Sequence, residues 1–329
     1  MRVEAHWQRL GWFAVLLYPV SLIFRIVAAT RRLCFGFGIL KVSRFPAPVI
    51  VVGNITVGGS GKTPLVIWLV EHLRGKGLRP GVVTRGYGGK ATHWPQQVRP
   101  DSDPAAVGDE SVLLAQRSGC PVCAGPDRPQ AVRELLEHTD CNIVVSDDGM
   151  QHYAMARDLE IAVLDGERRF GNGLLLPAGP LREPVSRLRT VDLVIANGEP
   201  QSGEFSMQLS NPMMYPLHGD QQPVDIARFD GQRVHAIAGI GHPQRFFDML
   251  SKLGLTVEAH AFPDHHNYSK QDVSFDEDLP LLMTEKDAVK CRRIINGNAW
   301  VVRVKAQPDD AFVHRINLAL EHIQSGRRE

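Results

Sequence analysis

The sequence lacks several features that mark specialised classes of protein. Its 329 residues carry a net charge of only +1, so no overall positive field indicates nucleic acid, and we expect no nucleic-acid partner. It contains no repeat of fixed period and no long low-complexity segment. Charged residues make up 22% and hydrophobic residues 43%, as in ordinary globular proteins. A chain of this length can bury a large core in two domains, and we infer no obligate protein partner.

Cysteine is scarce and irregularly spaced. An odd count excludes a simple disulfide framework; the five residues are Cys34, Cys120, Cys123, Cys141 and Cys291. Cys120 and Cys123 form a CxxC pair, but no second Cys or His pair completes the four ligands of a zinc site. We therefore expect structural thiols in a reducing compartment.

The sequence also lacks a simple membrane-crossing run. The charge-free stretch LGWFAVLLYPVSLIF, residues 10–24, contains Pro19 and is followed by Arg25. Fifteen residues of helix cover about 22 Å, less than the roughly 30 Å of a hydrocarbon core. Residues 1–48 hold seven basic side chains and one acid, a local charge of +6 (7 − 1).

Four interpretations of this N-terminal segment stay open. We favour an interfacial helix, with aromatic side chains in the lipid boundary and arginines on anionic headgroups. A single span, a cleaved signal with its small-residue site at 27–29, and an apolar helix packed on the protein are the alternatives. The basic flank predicts a cytoplasmic location.

The rest of the chain alternates between strand and helix patterns. Short apolar runs predict strands at 49–54, 80–84, 121–124, 142–146, 160–165 and 192–197, with helices at 63–74, 109–118 and 127–138. This alternation predicts a parallel sheet covered by helices on both faces, and the Gly- and Pro-rich residues 170–184 predict a loop over it. After a possible linking strand at 205–209, a second set predicts strands at 234–239, 256–262, 279–284 and 299–304, and helices at 243–253 and from 285.

The strongest motif is a candidate phosphate-binding loop between the first strand and first helix of this pattern. Its residues are Thr56, Val57, Gly58, Gly59, Ser60, Gly61, Lys62 and Thr63. The glycines let backbone N–H groups face a phosphate, Lys62 can reach the β- and γ-phosphates, and Thr63 can hold Mg²⁺. Thr56 stands where the usual pattern has its outermost glycine. We therefore predict a nucleoside triphosphate site.

Pairs of adjacent carboxylates occur at two places in this strand and helix pattern. Asp147 and Asp148 come directly after a predicted strand, where such a site needs an acid for Mg²⁺. Asp109 and Glu110 open a predicted helix, where capping is the simpler interpretation. In TEKD, residues 284–287, the spacing fails the guanine-binding pattern, and Thr284 with Asp287 more simply caps a helix.

These features together predict an α/β fold. We expect a P-loop NTPase-like parallel sheet with helices on both faces, a smaller C-terminal α/β domain and an N-terminal membrane-interacting helix. The expected boundaries are 1–45 for the membrane-associated segment, 46–204 for the P-loop core, 205–233 for a hinge, and 234–329 for the smaller domain.

An ordered set of motifs resembles the tetraacyldisaccharide 4'-kinase family over about residues 5–305. The motifs are GNITVGGSGKTP, TRGYGG (84–89), VGDE (107–110), SDDGMQH (146–152), LPAGPLREP (176–184), FPDHHNY (262–268) and LLMTEKDAVKC (281–291). The threonine at position 56 belongs to that family's loop. The resemblance implies that the γ-phosphoryl of ATP goes to the 4'-hydroxyl of a tetraacyl glucosamine disaccharide 1-phosphate. It also implies lipid IVA as product and a location on the cytoplasmic face of the inner membrane.

The resemblance implies the role of Asp109, and the chemistry of phosphoryl transfer predicts roles for the other candidate residues. Asp109 would be the base that accepts the hydroxyl proton, with His265 as its partner and His266 as the alternative. Lys62 would act on the phosphates, and Mg²⁺ would be held by Thr63, Glu110, Asp147 and Asp148. Arg85 and Arg182 are candidates for binding the substrate's 1-phosphate or the transferred group. A membrane-peripheral NTPase switch and a soluble small-molecule kinase are the rival hypotheses.

Overall fold

The computed structural model describes residues 6–219 and 222–325, and in this part thirteen strands form one sheet. The strands are β1 Val49–Gly53, β2 Pro80–Thr84, β3 Gln96–Val98, β4 Val122–Ala124, β5 Ile143–Asp147, β6 Leu159–Asp165, β7 Leu193–Asn197, β8 Phe205–Pro216, β9 Val224–Asp225, β10 Arg233–Ala238, β11 Thr256–Ala261, β12 Leu281–Thr284 and β13 Ala299–Pro308. Their order is β11-β10-β12-β13-β8-β7-β6-β1-β5-β2-β4-β3, and β9 pairs with β8.

Eight α-helices complete the described part. They are α1 Trp12–Gly36, α2 Lys62–Gly75, α3 Pro104–Val107, α4 Asp109–Ser118, α5 Arg128–His138, α6 Pro243–Lys252, α7 Glu285–Cys291 and α8 Asp310–Ser325. Three short 3₁₀ segments lie at Val185–Thr190, Ile226–Phe229 and Gln271–Val273. The segment 170–184 consists of turns, as its Gly and Pro content predicts.

Strand β1 lies at the centre of the first half of the sheet and is buried along its whole length. Its side chains alternate between two cores, because successive residues of a strand point to opposite faces. Ile50 and Val52 pack with helices α2, α4 and α8, whereas Val49 and Val51 pack with helix α5. Parallel pairing with β5 and β6 on either side confirms the predicted α/β sheet with helices on both faces.

Strands β8 and β13 join the two halves of the sheet. They pair antiparallel from Trp300 opposite Pro216 to Pro308 opposite Met207, with an irregularity between Arg303 and Lys305. On one side, β8 pairs in parallel with β7, and on the other, β13 pairs in parallel with β12. The second half, β10 to β12, buries its own cores on both faces. The predicted division into domains at 204 and 234 stays a prediction.

The sequence analysis missed several elements, above all helix α8. Strands β3 and β9 and the short helix α3 were also not predicted, and strand β8 is longer than the predicted 205–209. Helix α8 lies within the predicted C-terminal domain, but its buried face packs against the core of the first half. The ring of Phe312 lies 5.9 Å from that of Trp68 and 5.6 Å from that of Phe205, measured between ring centroids.

Helix α1 is longer than the charge-free run predicts. It continues through Pro19 and Arg25 for 25 residues, about 37 Å, and has a mean hydropathy of 2.0 over its most apolar window. Most of its large apolar side chains are exposed, including Ile23 at 63% and Val27 at 61%. Ser21 anchors it to the loop 170–184, donating to the Leu175 carbonyl at 2.8 Å and accepting from the Ala178 N–H at 3.0 Å. One apolar helix of this kind is a candidate membrane anchor.

Truncating Phe312 should destabilise the first half of the molecule. We expect Phe312→Ala to lower the free energy of unfolding by about 3–5 kcal/mol, because it leaves a cavity where helix α8 meets helix α2. Glu321→Ala, on the exposed face of the same helix, should change it by less than about 0.5 kcal/mol. Denaturant titrations of both variants measure the difference. Equal, small effects would show that helix α8 contributes little to this core.

Candidate active site

The phosphate loop has the backbone that its glycines predict. Gly58 has φ +99° and Gly61 has φ +93°, values that residues with a side chain rarely adopt. A Cβ on Gly61 would lie 2.8 Å from the Asn197 amide nitrogen, so the loop is also closely packed. Helix α2 begins at Lys62, so its N-terminal N–H groups and the positive end of its dipole face the loop.

Thr56 is buried at the base of the loop and does not lie at an exposed rim. The Asn54 amide, itself fully buried, donates to Thr56 Oγ1 at 3.5 Å and to Ser60 Oγ at 3.2 Å. The Val57 N–H donates to the Pro180 carbonyl at 2.8 Å. These bonds hold both ends of the loop against the sheet and the loop 170–184, so threonine here has a structural role.

Asp148 forms ion pairs with two predicted site residues. Its carboxylate lies 3.6 Å from Lys62 Nζ, and Arg182 Nη1 donates to both of its oxygens at 3.0 and 2.9 Å. Burial alone would raise the pKa of Asp148, but Lys62 and Arg182 hold it far below the usual range. The residue has φ +50°, a strained conformation outside glycine. Asp148 therefore stays ionised and is held by cations in this structure.

Asp147, the adjacent carboxylate, has the opposite environment. Burial, reinforced by the charges of Glu110 and Asp148, raises the pKa of Asp147 to about 7. Its Oδ1 has no hydrogen-bond partner among residues 6–219 and 222–325. The buried Arg128 donates to the Asp147 backbone carbonyl at 3.0 Å rather than to the carboxylate. A buried acid without a partner indicates a place where a cation or a bound water belongs.

Asp109 and His265 meet although they are 156 residues apart. His265 Nδ1 lies 3.1 Å from each carboxylate oxygen of Asp109. Burial alone would raise the pKa of Asp109, but the bond to His265 and the charges of Lys286 and Lys290 hold it below its ordinary value. Gly108, not Asp109, occupies the N-cap of helix α4, so the interpretation of Asp109 as a helix cap is wrong.

His265 and His266 have different surroundings. His265 has φ +59° and packs against the Tyr87 ring, with centroids 4.7 Å apart. His266 instead pairs with Asp272 at 3.3 Å and stacks on Phe262. The structure thus brings His265 to Asp109 and places His266 in a separate contact.

Two lysines of helix α7 complete the surroundings of Asp109, and the sequence analysis assigned neither to the site. Lys286 Nζ lies 3.0 Å from Glu110 Oε1 and 3.2 Å from His265 Nε2, and Lys290 Nζ lies 3.7 Å from Asp109 Oδ2. Thr284 caps the helix, as TEKD predicts, accepting from the backbone N–H of Asp287 at 3.2 Å. Lys286 and Lys290 are four residues apart, which puts both on one face of the helix. This spacing is the signal in the sequence that could have identified them.

Arg168 is a second residue that the sequence analysis missed. Its guanidinium lies on the phosphate loop and donates to the Gly59 carbonyl at 2.6 Å. Asp165, at the end of strand β6, holds Arg168 at 2.7 Å and also accepts two bonds from Arg245 of helix α6, at 2.7 and 2.8 Å. This ion-pair cluster therefore links the phosphate loop to the second half of the molecule.

Arg85, the remaining candidate, is exposed. Its guanidinium lies 6.0 Å from the centroid of the Tyr87 ring, the ring that also contacts His265. The structure thus places Arg85 at the rim of the Asp109–His265 pair, whereas Arg182 lies beside the phosphate loop, where it pairs with Asp148.

A family model described as tetraacyldisaccharide-1-P 4'-kinase matches residues 13–321 of the chain. The chain belongs to this family. A tetraacyldisaccharide 4'-kinase from Nitrosococcus oceani is 54% identical over 87% of this chain and 85% of its own length. One from Methylobacillus flagellatus is 50% identical over 98% of this chain and 96% of its own length. The protein is therefore a kinase of the lipid A 4'-kinase family.

A solved structure of a family member supports the fold. The crystal structure of LpxK from Aquifex aeolicus in complex with ATP has a TM-score of 0.79 and 29% sequence identity to this chain. The similarity covers 94% of this chain and 99% of that one. The sheet and the N-terminal helix predicted from the sequence are thus confirmed. The membrane-peripheral NTPase switch is not favoured.

Removing the buried charge of Asp147 should stabilise the protein in a pH-dependent way. In the folded protein Asp147 binds its proton up to about pH 7, and in the unfolded chain only up to about 3.8. The folded state therefore binds more protons between these values, and stability falls as the pH rises through them. The asparagine of Asp147→Asn does not ionise and therefore does not lose stability in this range. Above pH 7 the melting temperature of this variant should exceed that of the wild type by several degrees.

The measurement is thermal unfolding of both proteins without nucleotide or Mg²⁺, from pH 4 to 8. The difference between them should shrink towards zero near pH 4. A difference that is constant across the range would contradict the raised pKa of Asp147.

Proposed function

We propose that this enzyme transfers the γ-phosphoryl group of ATP to the 4'-hydroxyl of a tetraacyl glucosamine disaccharide 1-phosphate, producing lipid IVA. The observation that carries this proposal is the meeting of Asp109 with His265 in a P-loop protein of this family. A carboxylate held as an anion by a histidine and two lysines is suited to accept a proton from a sugar hydroxyl. The name of the relatives indicates the acceptor, and the ATP complex of the solved relative indicates the donor.

The phosphate loop would bind the triphosphate. Backbone N–H groups of residues 58–63 and the ammonium of Lys62 would neutralise the β- and γ-phosphates, at the N-terminus of helix α2. In this structure Lys62 faces Asp148 and Arg168 covers Gly59, so triphosphate binding would replace these contacts with phosphate contacts. Arg182 and Arg85 remain our candidates for the acceptor's 1-phosphate or the transferred group.

The surroundings of Asp147 fit a magnesium ion. The unpartnered, buried Oδ1 of Asp147 is an oxygen that a cation or its bound water would satisfy. The described residues contain no group of three His, Cys, Asp or Glu side chains able to hold a metal by themselves. Thr63 and Asp147 are the protein groups that would hold the ion, with nucleotide oxygens and water as its other ligands, while Glu110 and Asp148 are paired with cations here. When bound, the ion would neutralise charge developing between the β- and γ-phosphates.

The acceptor proton would go to Asp109. As the sugar oxygen forms its bond to phosphorus, the bond from phosphorus to the β-phosphate oxygen breaks and ADP leaves, while Asp109 takes the hydroxyl proton. Asp109 lies on helix α4 and His265 beyond strand β11, on opposite sides of the β8–β13 connection. The two parts already touch through the Asp109–His265 pair, so movement about these two strands would open the site to the acceptor, and their return would exclude water.

Helix α1 would bring the enzyme to its lipid substrate. Its exposed apolar side chains and the basic residues 25–44 fit insertion into the boundary of an anionic membrane, on the cytoplasmic face of the inner membrane. A single span is the alternative, because the helix is long enough to cross a bilayer.

A phosphate transfer assay tests the proposed reaction. With γ-labelled ATP, Mg²⁺ and the tetraacyl disaccharide 1-phosphate, we expect label in the lipid. Asp109→Asn and Lys62→Ala should each lower kcat by about 10²-fold or more. The first removes the base, and the second removes the ammonium group that neutralises the phosphates. Asp103→Asn, at an exposed helix cap, is the matched control and should keep its rate. Label released only as free phosphate would rule out the lipid kinase, and near-normal turnover of Asp109→Asn would rule out its role as base.

A second experiment tests the membrane anchor. We expect Ile23→Asp combined with Val27→Asp to move the protein from sedimenting vesicles of anionic phospholipid into the supernatant, since each change buries a charge in the lipid boundary. His314→Asp combined with Gln324→Asp, two exposed positions of helix α8, adds the same charges elsewhere and should leave binding unchanged. Equal vesicle binding by all three proteins would show that helix α1 is not the anchor.

A further inference from the structure

Lys286 lies where three polar groups of the candidate site converge. Its Nζ is 3.0 Å from Glu110 Oε1, 2.9 Å from Asp264 Oδ1 and 3.2 Å from His265 Nε2. The side chain is only 14% exposed. An ammonium group has three protons and no lone pair, so each proton has one acceptor here and none is left for another partner.

This arrangement determines which nitrogen of His265 carries a proton. Because the ammonium of Lys286 can only donate, His265 Nε2 must accept and must therefore be unprotonated. The neutral ring then carries its proton on Nδ1, which points at both oxygens of Asp109 at 3.1 Å. The ring has little freedom to turn, because the Tyr87 ring packs against it and its own backbone is held at φ +59°.

The geometry points to Lys286 as the residue that sets the tautomer of His265, so that the histidine donates from Nδ1 to Asp109. This inference rests on the proposed role of Asp109 as base. It makes Lys286 a positioning residue, which acts on the reaction through His265. A histidine with its proton on the other nitrogen would present a lone pair to the Asp109 carboxylate, and the pair would repel.

Loss of the lysine should change the protonation of the ring. Asp264 Oδ1 lies 3.9 Å from His265 Nε2, on the side that Lys286 occupies. Without the ammonium, Nε2 is no longer required to accept and can donate to this carboxylate, so the single proton of the neutral ring would move from Nδ1 to Nε2 in part of the molecules. Lys286→Met removes all three donors while it keeps most of the side-chain length.

Nitrogen NMR of ¹⁵N-histidine-labelled full-length protein tests this directly, without nucleotide or lipid. A His265→Asn variant assigns the His265 signals. In the wild type we expect Nδ1 to resonate as a protonated nitrogen and Nε2 as an unprotonated one. In Lys286→Met we expect Nε2 to become protonated in part of the molecules, while Lys286→Arg, which keeps a donor, should preserve the wild-type pattern. Lys290→Met is the matched control and should keep the wild-type pattern, since within the described residues Lys290 contacts Asp109 and not His265.

The kcat and KM of the Lys286 variants distinguish a positioning role of this residue from a purely structural one. We expect Lys286→Met to lower kcat about 10- to 100-fold with little change in the KM for ATP, and Lys286→Arg to recover part of it. The inference would be overturned if His265 of the wild type is protonated on Nε2. It would also be overturned if the Lys286→Met spectrum is identical to the wild-type spectrum. If Lys286→Met does not fold, the wild-type and Lys286→Arg spectra still decide. Absence of lipid phosphorylation by the wild type would refute the proposed function and leave the tautomer result standing.

Discussion

The carboxyl edge of the parallel strands β1, β5, β6 and β7 is the feature on which the rest of the site depends. Parallel pairing makes all these strands end at the same edge, so the residues that follow them are collected in one place. The phosphate loop follows β1, while Asp147, Asp165 and Asn197 end the neighbouring three strands. Asn197 lies against Gly61, and Asp165 holds Arg168 on Gly59. The sheet thus positions the loop and the groups that contact it.

Several carboxylates close together at this edge repel one another. The groups that compensate this repulsion differ from one carboxylate to the next. Asp148 is compensated by Lys62 and Arg182, and Asp165 by Arg168 and Arg245. Asp147 has no such ion pair among residues 6–219 and 222–325, and burial raises its pKa. An uncompensated buried carboxylate is unfavourable in a merely structural position, and its presence beside the phosphate loop supports our proposal that a cation binds there with the nucleotide.

The second half of the molecule contributes the groups that surround Asp109. Helix α7 supplies Lys286 and Lys290, and the turn after β11 supplies His265. In the described part of the chain, the antiparallel pair β8–β13 is the connection between the halves within the sheet, so the contact of Asp109 with His265 depends on how these strands hold the two parts. Helix α8 strengthens this connection, because it follows β13 and then packs on the first core.

Local patterns in the sequence determined the strands, most helices, the phosphate loop and the candidate acids, because each depends on residues close together in the chain. Strands β3 and β9 are too short to show such a pattern, at three and two residues. Helix α8 does show one, with buried apolar residues at Phe312, Ile316 and Leu320, and it was overlooked. Adjacent Asp147 and Asp148 could not be told apart, since their opposite pKa shifts come from different spatial neighbours. The tertiary structure alone decided that His265 rather than His266 meets Asp109 and that Lys286 joins them. Asp109 and Glu110 lie more than 150 positions away from His265 and Lys286 in the chain, and the order of strands in the sheet brings the two pairs together.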